Sequence, residues 1–327
     1  MTVRSPIDVS PPRREAREYR VYPTLIERCA SLAPVATAVA HPCDESSLRG
    51  AVEAAEAGLI LPILVGPQAR VRAVAAQAGI DLAPYRLVDA PHSHAAAACA
   101  VAIARAGEAE ALMKGSLHTD ELIGEVVRKD TGLRTERRIS HAFIMDIPTY
   151  PKPLVVTDAA INIDPDLETK ADIVRNAIDM AHAFGRDLPK IAILSAVETV
   201  TPKIPSTIDA AALCKMAERG QITGALLDGP LAFDNAISKE AAALKGIRSE
   251  VAGDADILIV PNLEAGNILA KQLTFLANAD AAGIALGARV PIVLTSRADT
   301  VRARLASCAI ATLLVDWRRQ VGAIPTE

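Results

Sequence analysis

Val290-Pro-Ile-Val-Leu-Thr-Ser-Arg-Ala-Asp-Thr-Val301 reads as a short apolar strand that runs into a polar turn, and the turn opens a helix. A strand that ends at a helix N-terminus is the repeating unit of an α/β sheet. This one delivers a hydroxyl, a guanidinium and a carboxylate to the junction. Free backbone N–H groups and the helix dipole favour negative charge there, and arginine grips phosphate bidentately. Two readings of the turn stand side by side. One is an anion site built on Ser296 and Arg297; the other is a helix cap in which Ser296, Asp299 or Thr300 accepts from the free N–H groups.

The same alternation extends outward over most of the chain. Apolar runs predict strands at 35–40, 59–65, 86–88, 111–113, 142–147, 154–157, 190–194, 225–227, 257–260 and 290–294. Helical stretches are predicted at 46–57, 68–78, 93–106, 167–184, 210–219, 235–243 and 264–276. Near-continuous apolar strands separated by helices indicate α/β architecture with a largely parallel sheet covered on both faces. Pro148, Pro151 and Pro153 interrupt the alternation and mark a boundary. The first 22 residues hold Arg4, Arg13, Arg14, Arg17 and Arg20 among Pro6, Pro11 and Pro12, the composition of a flexible tail.

Composition narrows the function classes. Half of the 327 residues are hydrophobic but only 3% are aromatic, so alanine-rich helices and aliphatic strands fill the core. A net charge of −4 gives no general surface for polyanions, and scarce aromatics remove the stacking platforms of single-strand nucleic-acid binders. The five cysteines, Cys29, Cys43, Cys99, Cys214 and Cys308, are scattered, without the C-x-x-C spacing of a zinc site. Reduced thiols and the absence of a membrane-length apolar run point to the cytoplasm.

In α/β folds ligands bind beyond the C-terminal ends of strands. Polar residues follow six of the predicted strands: Lys114-Gly115-Ser116, Asp158 with Asn162, Ser195 with Glu198, Asp228-Gly229-Pro230, Asn262 with Gly266-Asn267, and Ser296-Arg297. Each has an ordinary structural reading as a turn or cap. Asn267 in particular reads either as a ligand contact or as a helix-start cap. Together the six describe a cleft for a polar ligand.

Five of these stretches carry a resemblance: Leu112-Met-Lys-Gly-Ser-Leu-His-Thr119, Val156-Thr-Asp-Ala-Ala-Ile-Asn-Ile163, Asp228-Gly-Pro-Leu-Ala-Phe-Asp234, Pro261-Asn-Leu-Glu-Ala-Gly-Asn-Ile268 and Thr295-Ser-Arg-Ala-Asp299. In this order they resemble the phosphate acetyltransferase/phosphate butyryltransferase family, over about residues 35–314. The first two are similar to the butyryl branch more than to the acetyl branch. The resemblance implies two doubly wound α/β domains with a cleft between them, related to the isocitrate/isopropylmalate dehydrogenase fold. After a tail over 1–22, the first domain is expected at 23–147 plus 291–327 and the second at 148–290. It implies reversible transfer of an acetyl or other short acyl group between coenzyme A and phosphate, giving acyl phosphate. The partners are then acyl-CoA, phosphate and acyl phosphate, with no metal or other cofactor, no nucleic acid and no membrane, in a homodimer.

Carried over residue by residue, the resemblance puts phosphate on Ser296 and Arg297, with Ser140-His141 as a second phosphate-side segment. The tetrahedral oxyanion needs preorganised donors, for which Ser296, Asn267 and Lys114 are candidates. Gly115, Asp158, Asn162, Asp228 and Gly266 are expected to line the substrate cleft. The acetyl branch places an aspartate base seven residues after the serine of the Ser-Arg pair, where this chain has Ala303. Asp299 is the nearest carboxylate to take that part. Two other classes remain: a non-catalytic acyl-CoA-binding relative, and a dehydrogenase of the related fold, for which no Gly-x-Gly-x-x-Gly is present.

Overall fold

Apolar runs that are buried on both sides need helices above and below them, and the chain supplies both layers. In the computed structural model the described residues are 18–19, 21–294 and 300–322. The first described helix is α1 (Val21–Cys29), followed by β1 (Val35–Ala40), α2 (Glu45–Glu56), β2 (Ile60–Gly66), α3 (Gln68–Ala78), β3 (Arg86–Asp89), α4 (Ser93–Arg105), β4 (Ala111–Lys114) and α5 (Thr119–Val126). Two consecutive strands come next, β5 (Ser140–Asp146) and β6 (Leu154–Thr157). Then follow α6 (Leu167–Ala183), β7 (Lys190–Leu194), α7 (Pro205–Glu218), β8 (Leu226–Leu231), α8 (Phe233–Ile237), α9 (Lys239–Leu244), β9 (Ile257–Ile259) and α10 (Leu263–Leu276). The chain closes its sheet with β10 (Asp280–Leu286) and β11 (Ile292–Val293) before α11 (Val301–Val321).

All these strands join one mixed sheet in the order β3-β2-β1-β4-β11-β10-β5-β6-β9-β7-β8. Its two wings, β3-β2-β1-β4-β11 and β6-β9-β7-β8, are each parallel. The antiparallel strands β10 and β5 join them through seven register pairs, from Asp280↔Asp146 to Leu286↔Ser140. Strand β10 is absent from the sequence expectation. Its Asp-Ala-Ala-Gly-Ile-Ala-Leu stretch has little intrinsic strand preference and is extended because partners flank it on both sides.

The two faces of the sheet differ. On one, a single apolar cluster runs across both wings, from Val39, Leu64 and Met113 through Ile284 and Ile144 to Ile257 and Ile193. Helices α1, α2, α6 and α11 seal it. On the other face the cover is divided. Ala38, Ala40, Leu112, Ala285 and Ile292 pack under α4 and α5 in one cluster. Met145, Val156, Ala192, Leu258 and Val260 pack with α8, α9 and α10 in another. Alternate residues of β10 share a face, and along that face Ala285 belongs to the first cluster and Ala281 packs on the second. Gly283 lies between them. The cover of this parted face is therefore divided over β10 and β5, where Gly283, Ala285 and His141 are themselves buried.

The expected tail reaches too far into the chain. Residues Val21 and Tyr22 begin α1, where the Val21 N–H donates to Asp146 Oδ2 at 2.9 Å. The fully buried Tyr22 hydroxyl donates to the carbonyls of Ile144 and Asp280 at 2.6 and 2.8 Å, pinning the helix to the two joining strands. The helix expected at 235–243 is broken at Ser238 (φ −127°, ψ 114°), which ends α8 and caps α9 by accepting from Ala241 N.

Candidate active site

Residues 295–299, and with them Ser296, Arg297 and Asp299, lie outside the described residues. The residues on either side are described. Strand β11 pairs Val293 with Met113, so Leu294 stands one register step on, beside Lys114. At the far end Thr300 is the N-cap of α11 and accepts from Ala303 N at 3.1 Å. Thr300 thus resolves the choice of cap for this helix. Ala303, where the acetyl branch carries its aspartate, faces the shared core and is 3% exposed.

His141 occupies the floor of the parted face. Adjacent residues of β5 point to opposite faces, and the two members of the Ser140-His141 pair go to different places. Ser140 is buried toward α6, where its Oγ accepts from Asn176 Nδ2 at 3.0 Å, so its hydroxyl is turned from the parted face. His141 packs edge-on against Phe143, with ring centroids 4.4 Å apart. A Cβ on Gly283 would lie 2.9 Å from the Leu294 carbonyl oxygen and 3.0 Å from His141 Nε2. The glycine thus leaves room for both the histidine ring and the Leu294 carbonyl. Burial drives the His141 pKa down to about 4 against the opposing pull of Asp158, so the imidazole is uncharged at neutral pH. Its Nδ1 is buried with no hydrogen-bond partner among the described residues.

Asp158 and Asn162 form a closed loop after β6. Asp158, 2% exposed, accepts from the N–H groups of Ala160 (2.9 Å) and Ile161 (3.1 Å) on Oδ1. Its Oδ2 accepts from the backbone N (3.1 Å) and Nδ2 (2.6 Å) of Asn162. Asn162 Nδ2 also donates to the Ile139 carbonyl at 2.8 Å, tying the loop to the entrance of β5. Ile161 packs with the first-wing cluster, so this second-wing loop crosses the gap. Asn267 holds the loop from the other side, with Nδ2 donating to the Ala159 carbonyl at 3.2 Å. Asn267 is not the helix cap; Asn262 is, accepting from Ala265 N at 3.0 Å. Gly266 lets α10 approach, since a Cβ there would sit 2.8 Å from the Asp158 carbonyl oxygen.

Lys114 and Gly115 stand at the ends of β4 and β1. Lys114 Nζ donates to the carbonyls of Gly115 (3.2 Å) and Leu117 (3.1 Å), shaping its own turn. A Cβ on Gly115 would be 2.4 Å from the Ala40 carbonyl oxygen and 2.5 Å from that of His41, so the position admits only glycine without movement. Strand order reverses here, with β2 on one side of β1 and β4 on the other, the place where open α/β sheets take ligands.

His41 is the site residue that sequence reading missed. It has φ 55°, and its Nδ1 lies 3.1 Å from Ser116 Oγ. Ser116 Oγ accepts from Cys43 N (3.2 Å) and donates to the His41 carbonyl (2.9 Å). Burial and then the nearby Arg70 lower the His41 pKa. The signal available beforehand was a histidine immediately after the apolar run 35–40. Around it, Glu121 accepts from Ser93 Oγ, which is the largest cause of its lowered pKa, and lies 3.1 Å from His94 Nδ1.

Asp228 does not join this group. The expected turn after 225–227 is instead the middle of β8, where Asp228 pairs with Ala192 and accepts from Gly229 N at 2.8 Å. Strand β8 is the sheet edge, three strand spacings or about 14 Å from β6. A separate cavity of about 570 Å³, lined by Leu25, Arg28, Lys152 and Phe184, opens beside α1 and reaches Ile144, Val155 and Ile257 of the sealed face. Among the described residues no three His, Cys, Asp or Glu side chains group as a metal site, and no helix is long and apolar enough to cross a membrane.

A two-winged sheet, sealed on one face and parted on the other over a buried histidine, defines an α/β protein of the class that binds ligands beyond its strand ends. The chain belongs to the phosphate acetyl/butaryl transferase family, whose model matches residues 93–312. It is 67% identical over 305 residues to a phosphate acetyltransferase of Rhizobium meliloti, covering 93% of this chain and 96% of that relative. It is 42% identical over 280 residues to a phosphate butyryltransferase of Clostridium acetobutylicum, covering 86% and 92%. Among solved structures it is similar to a branched-chain phosphotransacylase from Enterococcus faecalis V583, with TM-score 0.74 and 30% identity over 86% of this chain and 99% of that one.

Proposed function

We propose that this protein interconverts acyl-CoA plus phosphate with acyl phosphate plus coenzyme A, by direct transfer on the parted face. The observation that carries the reading is the 67% identity, along nearly the full length of both chains, to a phosphate acetyltransferase. The acyl group follows from the same comparison. Although two motifs resemble the butyryl branch, the acetyl-named relative is far more similar than the butyryl-named one, and acetyl-CoA is the proposed substrate. Family membership favours neither a dehydrogenase nor a non-catalytic binding protein.

The proposed arrangement follows the geometry. Arg297 and Ser296 take phosphate at the start of α11, with Lys114 and His141 flanking the entry through Leu294. The loop Asp158–Asn162, steadied by Asn267 and Gly266, supplies the second wall. Phosphate need only be held beside the thioester carbonyl, so catalysis is mostly positioning and electrostatics, with no covalent enzyme intermediate and no cofactor. The proposed halves, 23–147 with 291–327 and 148–290, meet across the parted face. The family resemblance supports a homodimer in the cytoplasm.

The test is thiol release from acetyl-, propionyl- and butyryl-CoA with and without phosphate. Phosphate-dependent release, fastest with acetyl-CoA, is expected. Folded protein that releases no thiol from any of the three would overturn the reading.

A further inference from the structure

The reaction carries a proton from one substrate to the other. Phosphate enters as HPO₄²⁻ and leaves as an acyl phosphate dianion, while the coenzyme leaves as a thiol. As the new C–O bond forms the attacking phosphate oxygen loses its proton, and as the C–S bond breaks the sulfur gains one. No oxidant or external acid is needed, but something must take the proton and give it up again. The aspartate that would do so in the acetyl branch is missing, because position 303 is an alanine buried in the shared core.

We propose that His141 is the proton carrier of this chain, accepting the proton of the attacking phosphate oxygen and returning it to the coenzyme A sulfur. The proposal rests on the acyl-transfer reading above. Three observations support it. His141 pairs with Ala285 of one cluster, and its ring lies beside Gly283, which separates Ala285 from Ala281 of the other. Gly283 has no side chain, and a Cβ there would meet both the His141 ring and the carbonyl of Leu294, the last described residue before 295–299. Nδ1 is buried without a partner among the described residues, although buried polar groups in folded proteins are almost always hydrogen-bonded. An imidazole nitrogen left unpaired keeps a position at which a proton can be accepted or donated.

The surroundings suit a carrier that starts empty. Burial keeps the imidazole uncharged in the free protein, and Asp158 is the charged group that acts on it in the opposite sense. A doubly charged phosphate arriving beside the ring adds to the pull of Asp158 and favours proton uptake at that moment. In the reverse direction the same ring takes the proton of the coenzyme A thiol, whose ordinary pKa is about 8.5, and returns it to phosphate.

The test compares wild type with His141→Gln and His141→Asn in acetyl-CoA phosphorolysis. General acid–base groups contribute about 10²–10⁴-fold, so kcat should fall at least a hundredfold, while KM for phosphate changes by less than about tenfold. The wild-type pH dependence of kcat on its acid side should flatten in both variants. Folded variants that keep kcat within about threefold of wild type would overturn the assignment while leaving the acyl-transfer reading intact. A wild type without phosphate-dependent release would instead remove the reading on which it rests. If neither variant folds, ¹⁵N-histidine spectra of the wild type decide. Saturating phosphate should change the protonation of the histidine that is uncharged in its absence down to about pH 4, and no change would refute the role.

Discussion

Asp158→Asn tests whether the loop after β6 is built by one carboxylate. Asp158 accepts four hydrogen bonds, two on each oxygen, and all four donors lie within the next four residues. An asparagine has one acceptor oxygen. Whichever way its amide is turned, its NH₂ faces two N–H donors, so two hydrogen bonds to a charged group are lost. At about 1.5–3 kcal/mol each, less the relief of no longer burying a charge, the expected cost is about 3 kcal/mol. For a chain of 327 residues that lowers the melting temperature by about 4 °C, read by thermal unfolding. Asn162→Ala removes the Asn162 Nδ2 bonds to Asp158 and to Ile139, and is expected to cost about 1–2 kcal/mol. Because the two residues share a bond, the double variant should lose less than the sum of the singles. An Asp158→Asn protein melting within 2 °C of wild type, or strictly additive losses, would show that the carboxylate does not organise the loop.

Gly115→Ala forces a methyl group against two backbone carbonyls and should cost about 1–3 kcal/mol, seen as a lower melting temperature together with reduced turnover because the Lys114 turn shifts. Burial pushes the Asp254 pKa up, but hydrogen bonds from Lys190 and Lys152 outweigh it and hold the value at about 2, below the ordinary 3.8. Its stabilisation is therefore present above about pH 4 and lost as the pH falls toward 2. The melting-temperature gap between wild type and Asp254→Asn should be widest near neutrality and close between pH 4 and 2. Arg297→Ala should raise KM for phosphate and cut turnover; unchanged phosphate kinetics would remove Arg297 from the site.

Much of the fold was legible because parallel strands buried on both faces are written as unbroken aliphatic runs. Strands β1, β6 and β7 start and stop where the runs do. What escaped was written weakly or decided by distant contacts. Strand β10 is alanine and glycine, and only its neighbours make it extended. Helix α1 is short and follows an Arg/Pro-rich stretch; its folding depends on contacts such as those of Tyr22 with β5 and β10. Strand β5 begins two residues earlier than its apolar core suggested, which places Ser140 and His141 inside the sheet on opposite faces. In the candidate site, the residue types after the strands were readable, but their partners were not. Asn262 rather than Asn267 caps α10, and Asp228 falls on an edge strand, because capping and register depend on one-residue shifts that composition does not encode. His41 was passed over because its left-handed backbone and its bond to Ser116 exist only once β1 and β4 lie side by side.

The unequal cover of the two faces also has a mechanical consequence. A sheet bound along one side by a continuous core and left divided on the other behaves like a hinged book, with that core as its spine. Flexing along the β10–β5 ladder would move the two clusters of the parted face relative to each other about the shared core. The motion would bring the Asp158–Asn162 loop toward or away from the Lys114 turn, with His141 near the fold line.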